Sequence, residues 1–125
     1  MKQSLDYLPK NKQTEIRKLA FLIHKNCDDV EKIILFGSYA KGSFKEEKDL
    51  KPDRKSGHVS DYDILVVTGE AETVHEFSSW NDAGKLKLTA PVRILAIDIE
   101  KLNEHLSEAH YLYSDIEKEG VLLFD

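Results

Sequence analysis

Ile33-Ile34-Leu35-Phe36-Gly37-Ser38-Tyr39-Ala40-Lys41-Gly42, and later Ser60-Asp61-Tyr62-Asp63-Ile64-Leu65-Val66-Val67, are the stretches whose reading decides the fold. In the first, a short apolar strand is ended abruptly by Gly37-Ser38, and Gly42 follows after a half-turn. In the second, two carboxylates two residues apart open another apolar run. Successive side chains of a strand point to opposite faces, so Asp61 and Asp63 project from the same one. Like charges held side by side repel, and a divalent cation such as Mg2+, which takes carboxylate oxygens, relieves that conflict.

Working outward, Val30 to Phe36 reads as the first strand and Asp61 to Val67 as the second. An antiparallel hairpin between them brings the Gly37-Ser38 turn beside the carboxylates. Residues 10–26 read as an amphipathic helix, with Ile16, Leu19, Ala20 and Ile23 at helical spacing and Pro9 near its start. Residues 70–89 read as a crossover, with Val74, Phe77 and Trp80 as a candidate apolar stripe. Pro91 to Ile97 is the third strand, which a helical crossover makes parallel to the second. Residues 99–118 read as one last helix, with Leu102, Leu106, Ala109, Leu112 and Ile116 facing inward. Gly120 suits its C-cap, and Val121 to Phe124 closes the sheet. The fold class expected is α/β (α+β): one domain over residues 1–125, with helices packed on a small mixed sheet of about four strands.

Composition excludes several functions. No apolar run approaches the roughly 20 residues of a membrane span, and no secretory h-region opens the chain. The one cysteine, Cys27, cannot form an internal disulfide, which fits the cytoplasm. The net charge of −5 argues against a general nucleic-acid-binding surface and favours a small molecule or a protein as the binding partner. His24 and His75 read as surface residues, and Trp80 as packing rather than base stacking. His105 and His110, five apart, do not share a helical face. Tyr111 and Tyr113 read as partly packed, with an interface patch as the alternative.

A strand ending in Gly-Ser, followed by a strand opening in Asp-x-Asp, resembles the nucleotidyltransferase superfamily with the DNA polymerase beta-like fold. The closest likeness is to minimal nucleotidyltransferase domains, many of which accompany a HEPN-type helical protein or domain. The resemblance implies that Asp61 and Asp63 are catalytic and hold Mg2+ (or Mn2+). Gly37 and Ser38 would position the phosphates of ATP or another NTP. Turn N–H groups suit that task, although Ser38 is equally compatible with a helix N-cap. Lys41 is either a phosphate contact or a solvated charge. The activity implied is Mg-dependent transfer of NMP to a hydroxyl of a small molecule or a protein.

The chain departs from that pattern twice. Relatives place a third carboxylate early on the third strand, where this chain has Arg93. Arg93 either neutralises Asp61 and Asp63, giving a metal-free degenerate site, or binds the nucleotide phosphates. The alternative function is therefore a catalytically degenerate nucleotide-binding or partner-binding module, antitoxin-like. Asp98 lies five residues further on, about 16 Å away along a strand, and suits a helix N-cap instead. The second departure is residues 44–59, which lack either period and read as a long exposed loop. That loop is either a tolerated excursion or a basic flap in which Lys48, Lys51, Arg54 and Lys55 close over a triphosphate.

Overall fold

A computed structural model describes residues 1–46, 49, 59–77 and 87–125. Helix α1, Lys10–Asn26, starts at Pro9, whose missing N–H costs nothing there, and ends in extended backbone at Cys27. Strand β1 is Val30–Phe36 and the one-turn helix α2 is Ser38–Lys41. Strand β2 is Tyr62–Thr68, a 3-10 helix spans Ala71–Phe77, and β3 is Val92–Asp98. Helices α3, Ile99–Ser107, and α4, Tyr111–Glu119, precede the closing strand β4, Val121–Phe124.

The four strands lie in the order β3-β2-β1-β4. β1 pairs antiparallel with β2 and with β4, and β2 pairs parallel with β3 across the 3-10 crossover. The sheet is mixed, as expected. Ile33, Leu35, Tyr62, Ile64 and Val66 join Ile16, Leu19 and Ile23 of α1 in one core cluster. Their strand neighbours Ile34, Leu65 and Val67 pack on the other face under Leu102 of α3 and Ile116 of α4. β1 and β2 are therefore apolar on both faces, as strands covered by helices on each side must be. Among the described residues no helix is long and apolar enough to cross a membrane.

Three expectations change. Lys12 is buried, at 1% exposure, on the same stripe as Ile16, Leu19 and Ile23, so the inner face of α1 is not purely apolar. The crossover begins with a 3-10 helix that buries Phe77; Trp80 lies outside the described residues. The expected helix over 99–118 is broken in two. Ala109 adopts φ 55, the Ala109 N–H donates to the Leu106 carbonyl at 3.1 Å, and the His110 N–H donates to the His105 carbonyl at 2.9 Å. That hydrogen-bond pair is a Schellman stop, built here on alanine rather than glycine. Ala109 is consequently exposed instead of inward.

His105 and His110 share no helical face, as expected, but the break brings them together. Their ring centroids are 4.8 Å apart, and the Tyr113 ring stacks on His105 at 4.9 Å. Tyr113 is partly packed, whereas Tyr111 is 83% exposed. His24 and His75 are exposed, as expected. Gly120 does cap α4, but with ordinary φ. A Cβ there would meet the Ile116 carbonyl and Ile34, so the requirement is space.

Candidate active site

Asp63 is the second residue of β2, opposite Phe36 of β1 and beside Arg93 of β3. Its neighbours Tyr62 and Ile64 face α1, so Asp63 faces the other way, into the sheet face that α3 and α4 cover further along. Asp61 lies just ahead of the strand, which starts one residue later than expected, and is half-buried.

The turn after β1 closes over this position. Gly37 has φ 77, a left-handed value that side chains resist, and a Cβ there would collide with Asp63 Oδ2. Glycine is thus required twice, for its backbone angle and for the approach of the carboxylate. Gly37 itself occupies the N-cap position of α2 and Ser38 is the first helical residue, so Ser38 does not cap the helix with its hydroxyl. The N–H groups of this first turn have no partner within the helix by geometry. The turn is backed from behind: the Tyr7 hydroxyl donates to the Tyr39 carbonyl at 2.7 Å, and Lys2 Nζ to the Ala40 carbonyl at 2.6 Å.

Charge in the site is out of balance. Asp63 Oδ1 is buried and accepts no hydrogen bond among the described residues. Arg93 Nε lies 3.4 Å from it, longer than a good charge-assisted hydrogen bond, and the Arg93 side chain is 72% exposed. Burial raises the Asp63 carboxyl above its usual range; Arg93 opposes the rise and Asp61 adds to it. Asp63 and Asp61 are the residues here that could hold a hard cation, and among the described residues no group of three or more His, Cys, Asp or Glu side chains gathers as a metal site.

The other residues singled out from sequence fall around this centre unequally. Lys41 is exposed and forms an ion pair with Asp115 of α4 at 3.3 Å. Asp98 caps α3, accepting from the Lys101 N–H at 2.9 Å, and pairs with Thr68 at the far end of β2. Lys48, Lys51, Arg54 and Lys55 lie outside the described residues. The base of that loop is fixed: the Lys45 N–H donates to Ser60 Oγ and the Ser60 N–H to the Lys45 carbonyl, both at 2.8 Å. Phe44 stacks on Tyr39 at 4.5 Å, so the start of the supposedly exposed loop is packed.

Comparison with known families settles the kinship. The family model described as Polymerase beta, Nucleotidyltransferase matches residues 17–125. The chain belongs to the nucleotidyltransferase family. No curated protein and no solved structure matches it.

On the opposite face of the sheet from Asp63 in this nucleotidyltransferase domain stands a polar cluster that sequence reading missed. Glu15 Oε1 accepts from the Tyr62 hydroxyl, the Thr89 N–H and the Thr89 hydroxyl, each at 2.8 Å. Buried Lys12 donates to Thr89 Oγ1 at 2.6 Å and lies 3.5 Å from Glu46 Oε1. Burial pushes Glu15 up, but the Thr89 and Tyr62 hydrogen bonds and Lys12 outweigh it and hold the carboxyl below its usual range. Burial, and then the bond to Glu15, raises the Tyr62 phenol. The cluster joins α1 to the residue between Asp61 and Asp63 and to the segment leading to Arg93. Its one sequence signal was Lys12 at helical spacing from Ile16.

Proposed function

We propose that this nucleotidyltransferase domain transfers NMP from ATP or another NTP to a hydroxyl on a small molecule or protein, in a Mg2+-dependent (or Mn2+-dependent) reaction. The observation that carries the reading is the buried Oδ1 of Asp63, without a hydrogen bond and only loosely paired with Arg93, under Gly37. Asp61 and Asp63 would hold the metal, which supplies charge neutralisation at the phosphoryl oxygens during in-line displacement. The Gly37-Ser38 turn would position the phosphates through its free N–H groups and the Ser38 hydroxyl. The Arg93 guanidinium, loosely held by Asp63 and mostly exposed, would bind the triphosphate. The acceptor oxygen attacks the α-phosphorus and pyrophosphate leaves. With Arg93 beside Asp63 and Asp98 at the far end of β3, that strand places no carboxylate next to Asp63, and the acceptor's proton would pass to solvent.

Calorimetric titration of ATP, with and without Mg2+, into the wild type and Asp63→Asn tests this reading. Binding that needs both the metal and Asp63 supports it; no binding by the wild type at millimolar ATP sinks it. Arg93→Asp then addresses catalysis, and a rise in NMP transfer is expected if β3 lacks only its carboxylate.

The register of Arg93 against Asp63 favours a second reading, a degenerate nucleotide-binding or partner-binding module of the antitoxin-like kind, paired with a HEPN-type helical protein. It expects ATP binding without metal, or none. For either reading we place the protein in the cytoplasm, since its one cysteine is a buried thiol that burial raises further.

A further inference from the structure

The outer face of α1, on the sheet side opposite Asp63, is unlike the rest of the surface. Phe21 stands there 67% exposed, flanked by Arg17 and Lys18. Two adjoining hollows share Arg17 and Phe21. One, of about 240 Å3, runs to His24 and to Leu123 and Phe124 of the edge strand β4; the other, of about 470 Å3, runs along α1 past Thr14 and Leu22.

The charge on this helix is one-sided. α1 contains five basic residues and one acidic residue, in a chain whose net charge is −5. Lys12 and Glu15 are consumed by the cluster beneath the helix, so the charges on the outer face are Lys10, Arg17, Lys18 and Lys25, all exposed. An apolar groove with one sign of charge along its helical side selects a complementary partner.

We propose that the outer face of α1 and the β4 edge form a docking groove for an acidic amphipathic helix of a partner protein. Apolar side chains of that helix fill the hollows on either side of Phe21, and its Asp and Glu residues meet Arg17 and Lys18. A second copy docked through the same face is disfavoured, because its own Arg17 and Lys18 would oppose these. Nucleic acid is disfavoured by the apolar lining of the hollows and by the acidic balance of the chain. The groove is remote from Asp63 and stands or falls independently of the nucleotide reading.

The test is fluorescence anisotropy with the full chain and three labelled probes. The first is a synthetic helix of about 18 residues with Leu at i, i+3, i+4 and i+7 and Glu at the flanking positions. The second carries Lys for each Glu, and the third is a single-stranded DNA oligonucleotide. The Glu peptide is expected to bind and the Lys peptide not. Phe21→Ala should weaken binding at least about tenfold, as loss of a central aromatic anchor does. Arg17→Glu combined with Lys18→Glu should shift preference to the Lys peptide. All three sites are solvent-facing, so thermal melting and Mg-ATP titration of the variants should match the wild type, separating a failed groove from a failed nucleotide site. Equal binding of both peptides, insensitivity to Phe21→Ala, or no saturable binding of the Glu peptide overturns the proposal. Binding of the oligonucleotide alone, lost in the double variant, also overturns it and assigns the face to nucleic acid.

Discussion

Tyr62 and Asp63 are consecutive residues of one strand, and their polar atoms have opposite fates. On the α1 face, the Tyr62 hydroxyl, Glu15, Thr89 and Lys12 satisfy one another within 2.6–2.8 Å. On the other face, Asp63 has a buried oxygen with no donor and an arginine at 3.4 Å. Closed polar clusters define a structure, whereas a group left open at a cost in stability is where function is expected. Glu15 and Asp63 make the same point as carboxylates: neighbours hold one below its usual range, and burial drives the other above.

The comparison can be broken by substitution, and the largest effect is expected on the closed side. Lys12→Met takes the buried donor from Thr89 and a positive charge from beside Glu15 and should cost on the order of 2–4 kcal/mol, read by urea denaturation. A loss below about 0.5 kcal/mol would mean that the cluster is not a structural lock. Gly37→Ala comes next. It forces a side chain to φ 77, at about 1–2 kcal/mol, and displaces Asp63, so Mg-ATP binding should vanish in the same variant that melts earlier. Asp63→Asn should do the reverse of Lys12→Met: removing a buried, unsatisfied charge raises stability, by about 1 kcal/mol, while metal-dependent ATP binding is lost. A destabilised Asp63→Asn would show that the site is not strained by its charge.

A smaller effect lies in the pH dependence, where the signs differ. Asp63 is raised in the fold, so the folded state holds its proton to higher pH than the unfolded chain, and ionising it as pH rises through that window costs stability. Glu15 is lowered; its contribution is present above the unfolded carboxylate range and lost as pH falls through the folded value. Melting temperature against pH, across the acid range, should therefore lose part of its acid limb in Glu15→Gln. In Asp63→Asn the same curve should rise more steeply from acid towards neutral pH than in the wild type. The smallest change lies outside both regions: Ala109→Gly removes the left-handed alanine at the α3 stop and should gain about 0.5–1 kcal/mol, read from the melting midpoint.

Much of this fold was legible because its signals are local. The apolar stripe of α1, the hairpin of β1 and β2, and the parallel partner of β2 follow from periodicity and connection rules, and Arg93 does stand beside Asp63. What was misread depends on contacts distant in sequence or on backbone choices without a residue signature. Lys12 looked like another surface lysine, since its partner Thr89 is 77 residues away. The break at Ala109 carries no Gly or Asn, so the meeting of His105 with His110 was invisible.

The sequence alone supplied the candidate groups: two carboxylates two residues apart, a glycine turn, and arginine where a third carboxylate was expected. Spacing sets the face of a side chain only within a strand: it holds for Asp63, whereas Asp61 lies just ahead of β2. Only the tertiary structure decided which of these groups are satisfied. The same carboxylate chemistry is locked at Glu15 and left open at Asp63 because hydrogen-bond donors arrive from other elements, and folding alone brings them there.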